Sequence, residues 1–105
     1  VQTYQVLAVE ALADPTRRSI FELLGEGPSS VVDITRHVPI SRPAVSQHLK
    51  VLKEARLVSV RPMGTRHIYG IDPTGVGAAR DYFSQFWTSA LAAYAQEANA
   101  TEEEA

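Results

Sequence analysis

At 105 residues, 45% of them hydrophobic, the chain suffices for one small domain with a modest core. It has no cysteine, which excludes disulfides and thiolate metal sites within the chain. Its net charge of −2 excludes a uniformly basic nucleic-acid binder, and it has neither a run as long as a membrane span nor a start resembling a signal peptide, so a soluble cytoplasmic protein without membrane partners is expected.

The charge is unevenly placed. Arg36, Arg42, Lys50, Lys53, Arg56, Arg61 and Arg66 fall within one stretch opposed only by Glu54, a local charge of +6. The acids gather elsewhere, notably at Glu102, Glu103 and Glu104. Residues 1–98 are expected to form the domain and residues 99–105 an acidic, disordered tail. Because the chain begins at Val1 and not at Met, a further N-terminal piece is expected.

In chain order, Thr3 to Leu12 reads as a helix. Its apolar residues Val6, Leu7, Val9, Ala11 and Leu12 extend around more than one face, so it packs either on a partner subunit or in an ordinary core. Asp14-Pro15 starts a second helix, with Asp as cap and Pro in the first turn. It runs to about Leu24, with Ile20, Leu23 and Leu24 inward and Gly25, Gly27 and Pro28 stopping it. Arg17 and Arg18 sit in its first turn, where the dipole disfavours cations, and contact phosphates or acids or remain solvated. Ser29-Ser30 caps a shorter helix, Val31 to about His37, and Ser30 and Asp33 have the capping-box spacing. Val38-Pro39-Ile40 is a tight turn.

Ser41 to Leu57 then forms one amphipathic helix ending just before a strand. Ser41 is the cap and Pro43 is tolerated in the first turn. Val45, Leu49 and Leu52 line the inner face, and Arg42, Ser46, Gln47, Lys50 and Lys53 the outer one. Short and long hydrogen-bonding groups backed by lysines suit a DNA major groove. Two helices joined by a few residues, the second basic outside, form a helix-turn-helix. The period then changes to two at Leu57 to Arg61. Pro62 to Arg66 is a five-residue loop containing Gly, and His67 to Ile71 is the second strand. This two-stranded hairpin, 57–71, carries Arg61 and Arg66 and reads as a wing that reaches phosphates or the minor groove.

Asp72-Pro73 opens a last helix that continues to about Ala98. It holds five of the eight aromatic residues, with an apolar stripe of Phe83, Phe86 or Trp87, Ala90 or Leu91, and Tyr94, to which Tyr82 adds. With Val6 and Leu7 of the first helix, Phe83, Phe86, Trp87, Leu91 and Tyr94 are the candidate dimer interface. The expected fold is mainly α: a dimeric winged helix-turn-helix of about five helices and one hairpin.

The run Leu12-Ala13-Asp14-Pro15-Thr16-Arg17-Arg18, then Ile20 and Leu23-Leu24, resembles the opening signature of the ArsR family of winged-helix repressors. Ser41-Arg42-Pro43-Ala44-Val45-Ser46-Gln47-His48-Leu49-Lys50-Val51-Leu52 resembles that family's recognition helix, and Ala55-Arg56-Leu57-Val58, Gly64-Thr65-Arg66 and Tyr69 resemble its helix end and wing. The motifs cover about Ala11 to Ile71. The family usually has Gly where Arg56 stands, which predicts a less sharp helix end or an added cation. The resemblance implies a homodimeric repressor on a palindrome in double-stranded DNA. It places Ser41, Arg42, Ala44, Ser46, Gln47 and His48 at bases or backbone, Lys50 and Lys53 nearer phosphates, and Arg61, Gly64, Thr65 and Arg66 in the wing. Gln47 suits adenine and Arg42 guanine, while Ser41 and Ser46 suit phosphate.

Many family members sense metals. Here Val31 to His37 contains no cysteine, and the last helix has Asp81 and Glu97 but no histidine. His37, His48 and His67 lack ligand spacing, so neither a metal site nor a cofactor is expected. The alternatives are a metal sensor using Asp81 and Glu97 with a histidine, and a repressor answering a small apolar ligand between Phe83, Phe86, Trp87 and Tyr94. A winged helix used only for protein contacts is a further one. Enzymatic chemistry finds no phosphate loop, paired carboxylates or activated nucleophile. The effector, whether small molecule or protein, stays open.

Overall fold

The structure, a computed structural model, describes residues 3–104, with side chains for 3–100. Helix α1 spans Thr3–Ala13 and α2 Pro15–Gly25. The Asp14 carboxylate accepts from the Arg17 backbone N–H at 2.9 Å, and Pro15 fills the first helical position. Helix α1 has no basic residue in its last turn. The next helix supplies two: Arg17 Nε donates to the Ala11 carbonyl at 2.6 Å and an Arg18 guanidinium nitrogen to that of Leu12 at 3.2 Å. The two arginines therefore cap orphan carbonyls, which explains cations where α2's own dipole disfavours them.

Strand β1 is Ser29–Ser30, α3 is Val31–Thr35 and α4 is Arg42–Glu54. Helix α3 is shorter than its periodicity predicts, because Arg36 and His37 close it in a turn ahead of Pro39. Ser30 Oγ accepts from Asp33 N–H at 3.2 Å and Ser41 Oγ from Ala44 N–H at 3.3 Å, the two expected caps. In α4 the side chains of Val45, Leu49 and Leu52 are fully buried. Each contributes roughly 1.5–3 kcal/mol by leaving water.

Strands β2 (Val58–Met63) and β3 (Arg66–Ile71) pair antiparallel, with Val60 opposite Tyr69 and Met63 opposite Arg66. Three features depart from the sequence reading. The sheet has three strands, in the order β1-β3-β2, because Ser29 and Ser30 pair with Tyr69 and Ile68; two residues leave no periodic signal. The five-residue loop shrinks to Gly64-Thr65. Pro62 stays within β2, an edge strand that needs no donor on its outer side. Gly64, at φ 64°, takes the positive angle that a type II′ turn demands at its first central position.

The third is the end of α4, which is sharp although Arg56 replaces the usual glycine. Arg56 adopts φ 58°, its N–H donates to the Lys53 carbonyl at 3.0 Å, and Leu57 N–H reaches the Leu52 carbonyl at 2.9 Å. This is the Schellman arrangement, with Leu52 and Leu57 both buried beneath it. A left-handed non-glycine residue costs on the order of 1 kcal/mol. The guanidinium of Arg56 lies 4.7 Å from the centre of the Tyr4 ring and donates to its hydroxyl at 3.3 Å. The stack returns part of that cost.

Helix α5, Pro73–Glu104, starts against this corner. Gly75 N–H donates to the Arg56 carbonyl at 2.7 Å and Asp72 N–H to that of Leu57 at 3.0 Å. The helix runs past Ala98, where the acidic tail was expected to begin, in a segment rich in the good helix formers Ala and Glu. Its first half packs on α1 while α2 and α3 pack on α4. The core between them comprises Ala8, Ala11, Ile20, Leu24, Ile34, Val45, Leu49, Leu52, Ala55, Leu57, Val58 and Ala79.

Two outcomes follow. A Cβ at Gly75 would overlap the Arg56 carbonyl, so Gly75→Ala lowers stability by about 1–3 kcal/mol, measured by urea denaturation followed by circular dichroism. The backbone N–H of Arg17, helped by the charges of Arg17 and His48, holds the Asp14 carboxyl below its ordinary value. A lowered folded-state pKa contributes stability above the unfolded value of 3.8, lost as pH falls through the folded one. Asp14→Asn keeps the cap but flattens the loss of melting temperature on acidification below that value.

Candidate nucleic-acid interface

The candidate site is built from the outer face of α4 and the β2–β3 hairpin. Burial of Val45, Leu49 and Leu52 fixes the rotation of α4, so Arg42, Ser46, Gln47, Lys50 and Lys53 are exposed together on the other side. Ser41 is exposed as well, its hydroxyl engaged at the cap. Ala44 and His48 are half-buried at the margins. His48 lies toward α2, near enough for its charge to act on the Asp14 carboxyl.

The hairpin tip comes back toward the start of α4. Arg42, Thr65, Arg66 and His67 line one cleft with Ser30, Val31 and Val32. Two guanidiniums and an imidazole share it with no carboxylate, a setting complementary to an anion. Arg61 is not part of it. The strand register sends Arg61 to the opposite side of the sheet from Val58 and Val60, into a shallow depression with Pro28, Ser59 and Gly70. The contribution of His67 and of the start of α3 was invisible in the sequence, because it depends on β1 joining β3.

Ten lysines and arginines are present, and their partners divide them. Arg17 and Arg18 cap α1, Arg36 pairs with Asp33 at 3.3 Å, Arg56 stacks on Tyr4, and Arg80 pairs with Asp81 at 3.6 Å. Among the described residues, the side chains of Arg42, Lys50, Lys53, Arg61 and Arg66 have no hydrogen bond or ion pair. All five lie on α4 or the hairpin.

A second surface lies on the long helix. Phe83, Phe86, Trp87 and Tyr94 are each more than half exposed, Leu91 is 48% exposed, and Val6 and Leu7 of α1 are 37% and 39% exposed. Tyr82 is half-buried and meets Phe83 edge-on at 5.4 Å. Arg80, Phe83, Ser84, Phe86 and Trp87 outline a shallow apolar depression. Among the described residues, no three His, Asp or Glu side chains gather where they would hold a metal ion. Among the same residues, no helix is long and apolar enough to cross a membrane.

Comparison with known proteins bears on both surfaces. The family model described as bacterial regulatory proteins of the arsR family matches residues 14–60, from the cap of α2 into β2. The HTH-type transcriptional regulator Rv2034 of Mycobacterium tuberculosis is 60% identical over 89 residues, 85% of this chain and 83% of that protein. The transcriptional repressor SdpR of Bacillus subtilis is 40% identical over 65 residues, covering 62% of this chain and 72% of its own. A homodimeric winged helix-turn-helix DNA-binding domain of Mycobacterium bovis, described as a possible ArsR-family regulator, superposes with a TM-score of 0.63. It is 33% identical and covers 82% of this chain and 78% of that one.

The division of the cations predicts opposite results for two arginines. Arg66→Ala weakens binding to every duplex tested and lowers the slope of log affinity against log salt by about 1. Arg36→Ala leaves that slope unchanged. Fluorescence anisotropy at a series of salt concentrations measures both.

Proposed function

The chain is a DNA-binding transcriptional regulator of the arsR family, and from that premise we propose that it is a homodimeric repressor which reads a palindromic operator with α4 and the hairpin wing. The single observation that carries this reading is the division of the cations: those spared from structural contacts all lie on α4 or the hairpin. In the major groove Gln47 pairs with adenine and Arg42 with guanine. Ser41, Ser46, Lys50 and Lys53 take phosphates, and Ala44 and His48 border the bases. The wing residues Arg61, Gly64, Thr65 and Arg66 follow the flanking backbone, with Arg66 near Arg42 at the hairpin tip and Arg61 further down the same side of the hairpin.

Dimerisation is proposed through α1 and α5, where Val6, Leu7, Phe83, Phe86, Trp87, Leu91 and Tyr94 remain open to solvent. Surface of this kind on a small domain marks an association site. A two-fold dimer presents two α4 helices to two half-sites, as a palindrome requires. The protein acts in the cytoplasm. Its DNA affinity does not depend on metal, in keeping with a terminal helix that offers Asp81 and Glu97 but no histidine.

Three measurements test the reading on an operator selected from a randomised DNA library. Gln47→Ala relaxes base preference at one position of each half-site by about 1–3 kcal/mol. Trp87→Glu shifts the mass in light scattering toward the monomer and abolishes high-affinity binding, while the monomer's affinity for a single half-site stays weak and salt-dependent. Zinc followed by chelator leaves wild-type affinity unchanged. A library that yields no enriched duplex would overturn the proposal.

A further inference from the structure

The corner at Arg56 joins the two surfaces, and its chemistry goes beyond ending a helix. Three elements meet there. Helix α4 is closed by the left-handed turn at Arg56, α5 begins with Gly75 N–H on the Arg56 carbonyl, and α1 brings Tyr4 under the Arg56 guanidinium. The two backbone bonds from Asp72 and Gly75 fix how far α5 stands from α4. Two bonds alone leave a tilt about the line that joins them. Where α1 meets α5 the buried apolar residues are Ala8, Ala11 and Ala79, beside the buried Gln5, and alanines allow close approach with little interlocking. The large buried side chains lie elsewhere, Leu52 and Leu57 beneath the corner and Ile20, Leu24, Ile34, Val45, Leu49 and Val58 in the reading half. The Tyr4–Arg56 stack is the exposed contact that connects α1 directly to the corner after α4.

We propose that the Tyr4–Arg56 stack is a positioning contact that sets the tilt of the recognition helix relative to the dimer helices, and with it the half-site spacing that the dimer accepts. The proposal rests on the dimeric reading above. In a dimer built on α1 and α5, any tilt of α4 at this corner is doubled by the two-fold axis. Its effect grows along α4 away from the corner, from Gln47 at mid-helix to Arg42 at the N-terminal end. The left-handed backbone at Arg56 is consistent with this role. A glycine would relieve the strain and end the helix equally well, but it would remove the side chain that reaches Tyr4.

The test uses the full chain and two duplexes. One carries the operator that wild type selects from a random library, and the other carries the same half-sites with one base pair inserted at the centre. The insertion moves the half-sites apart by about 3.4 Å and rotates them. Wild type prefers the first duplex. Tyr4→Ala and Arg56→Ala reduce that preference by about two- to fivefold, the factor that an exposed cation–π contact supports. Tyr4→Phe and Arg56→Lys, which keep a ring and a cation, retain most of it. Dimer mass and the salt slope are unchanged in all four, which separates a positioning role from general destabilisation. If wild type discriminates and Tyr4→Ala and Arg56→Ala discriminate equally well, the proposal is overturned and the repressor reading survives. If wild type itself binds both duplexes alike or neither, the dimeric reading fails and the proposal with it.

Discussion

Everything else in this molecule hangs on the meeting of two helix ends. The last carbonyls of α4 are closed by the Arg56 and Leu57 N–H groups, and the carbonyls of those same two residues accept from Gly75 and Asp72 at the start of α5. The partial charges are opposite and attract, since the negative end of α4 lies near the positive end of α5. Contact this close is possible only because Gly75 has no side chain. The same corner returns the chain from the hairpin to the long helix, so one small set of backbone bonds connects the DNA-reading half to the associating half.

Charge is allocated around that frame. A formal charge of −2 looks unpromising for a protein that binds a polyanion. The total misleads because half of the cations serve structure: two cap α1, two pair with neighbouring acids and one stacks on an aromatic ring. The remaining five lie on α4 and the hairpin and, among the described residues, form no ion pair. What DNA encounters is this local field and not the sum over the chain. The apolar residues divide in the same way. The buried core is aliphatic, while Phe83, Phe86, Trp87 and Tyr94 are left largely exposed along α5.

The sequence was most legible where one residue carries one local job. Asp14, Ser30 and Ser41 announce their helices by cap chemistry alone, and each cap is present. The inner face of α4 followed from the spacing of Val45, Leu49 and Leu52. What stayed hidden depends on partners distant in the chain. Ser29 and Ser30 become a strand only because Tyr69 and Ile68 arrive beside them. Arg17 and Arg18 looked available for phosphate until the end of α1 came within reach. Pro62 looked like a loop residue because its place on an edge strand is a property of the sheet. Arg56 was visible as a departure from glycine, but its stack on Tyr4 spans 52 residues of sequence.

The central claim is that the unpartnered cationic face of α4 and the wing is where DNA binds. Amide chemical-shift mapping tests it most directly, with a selected operator duplex titrated into the isotope-labelled protein. The largest perturbations are expected on Ser41 to Lys53 and on Arg61 to His67, with much smaller ones along the exposed length of α5. Perturbations concentrated on Phe83 to Tyr94, with α4 unchanged, would contradict it.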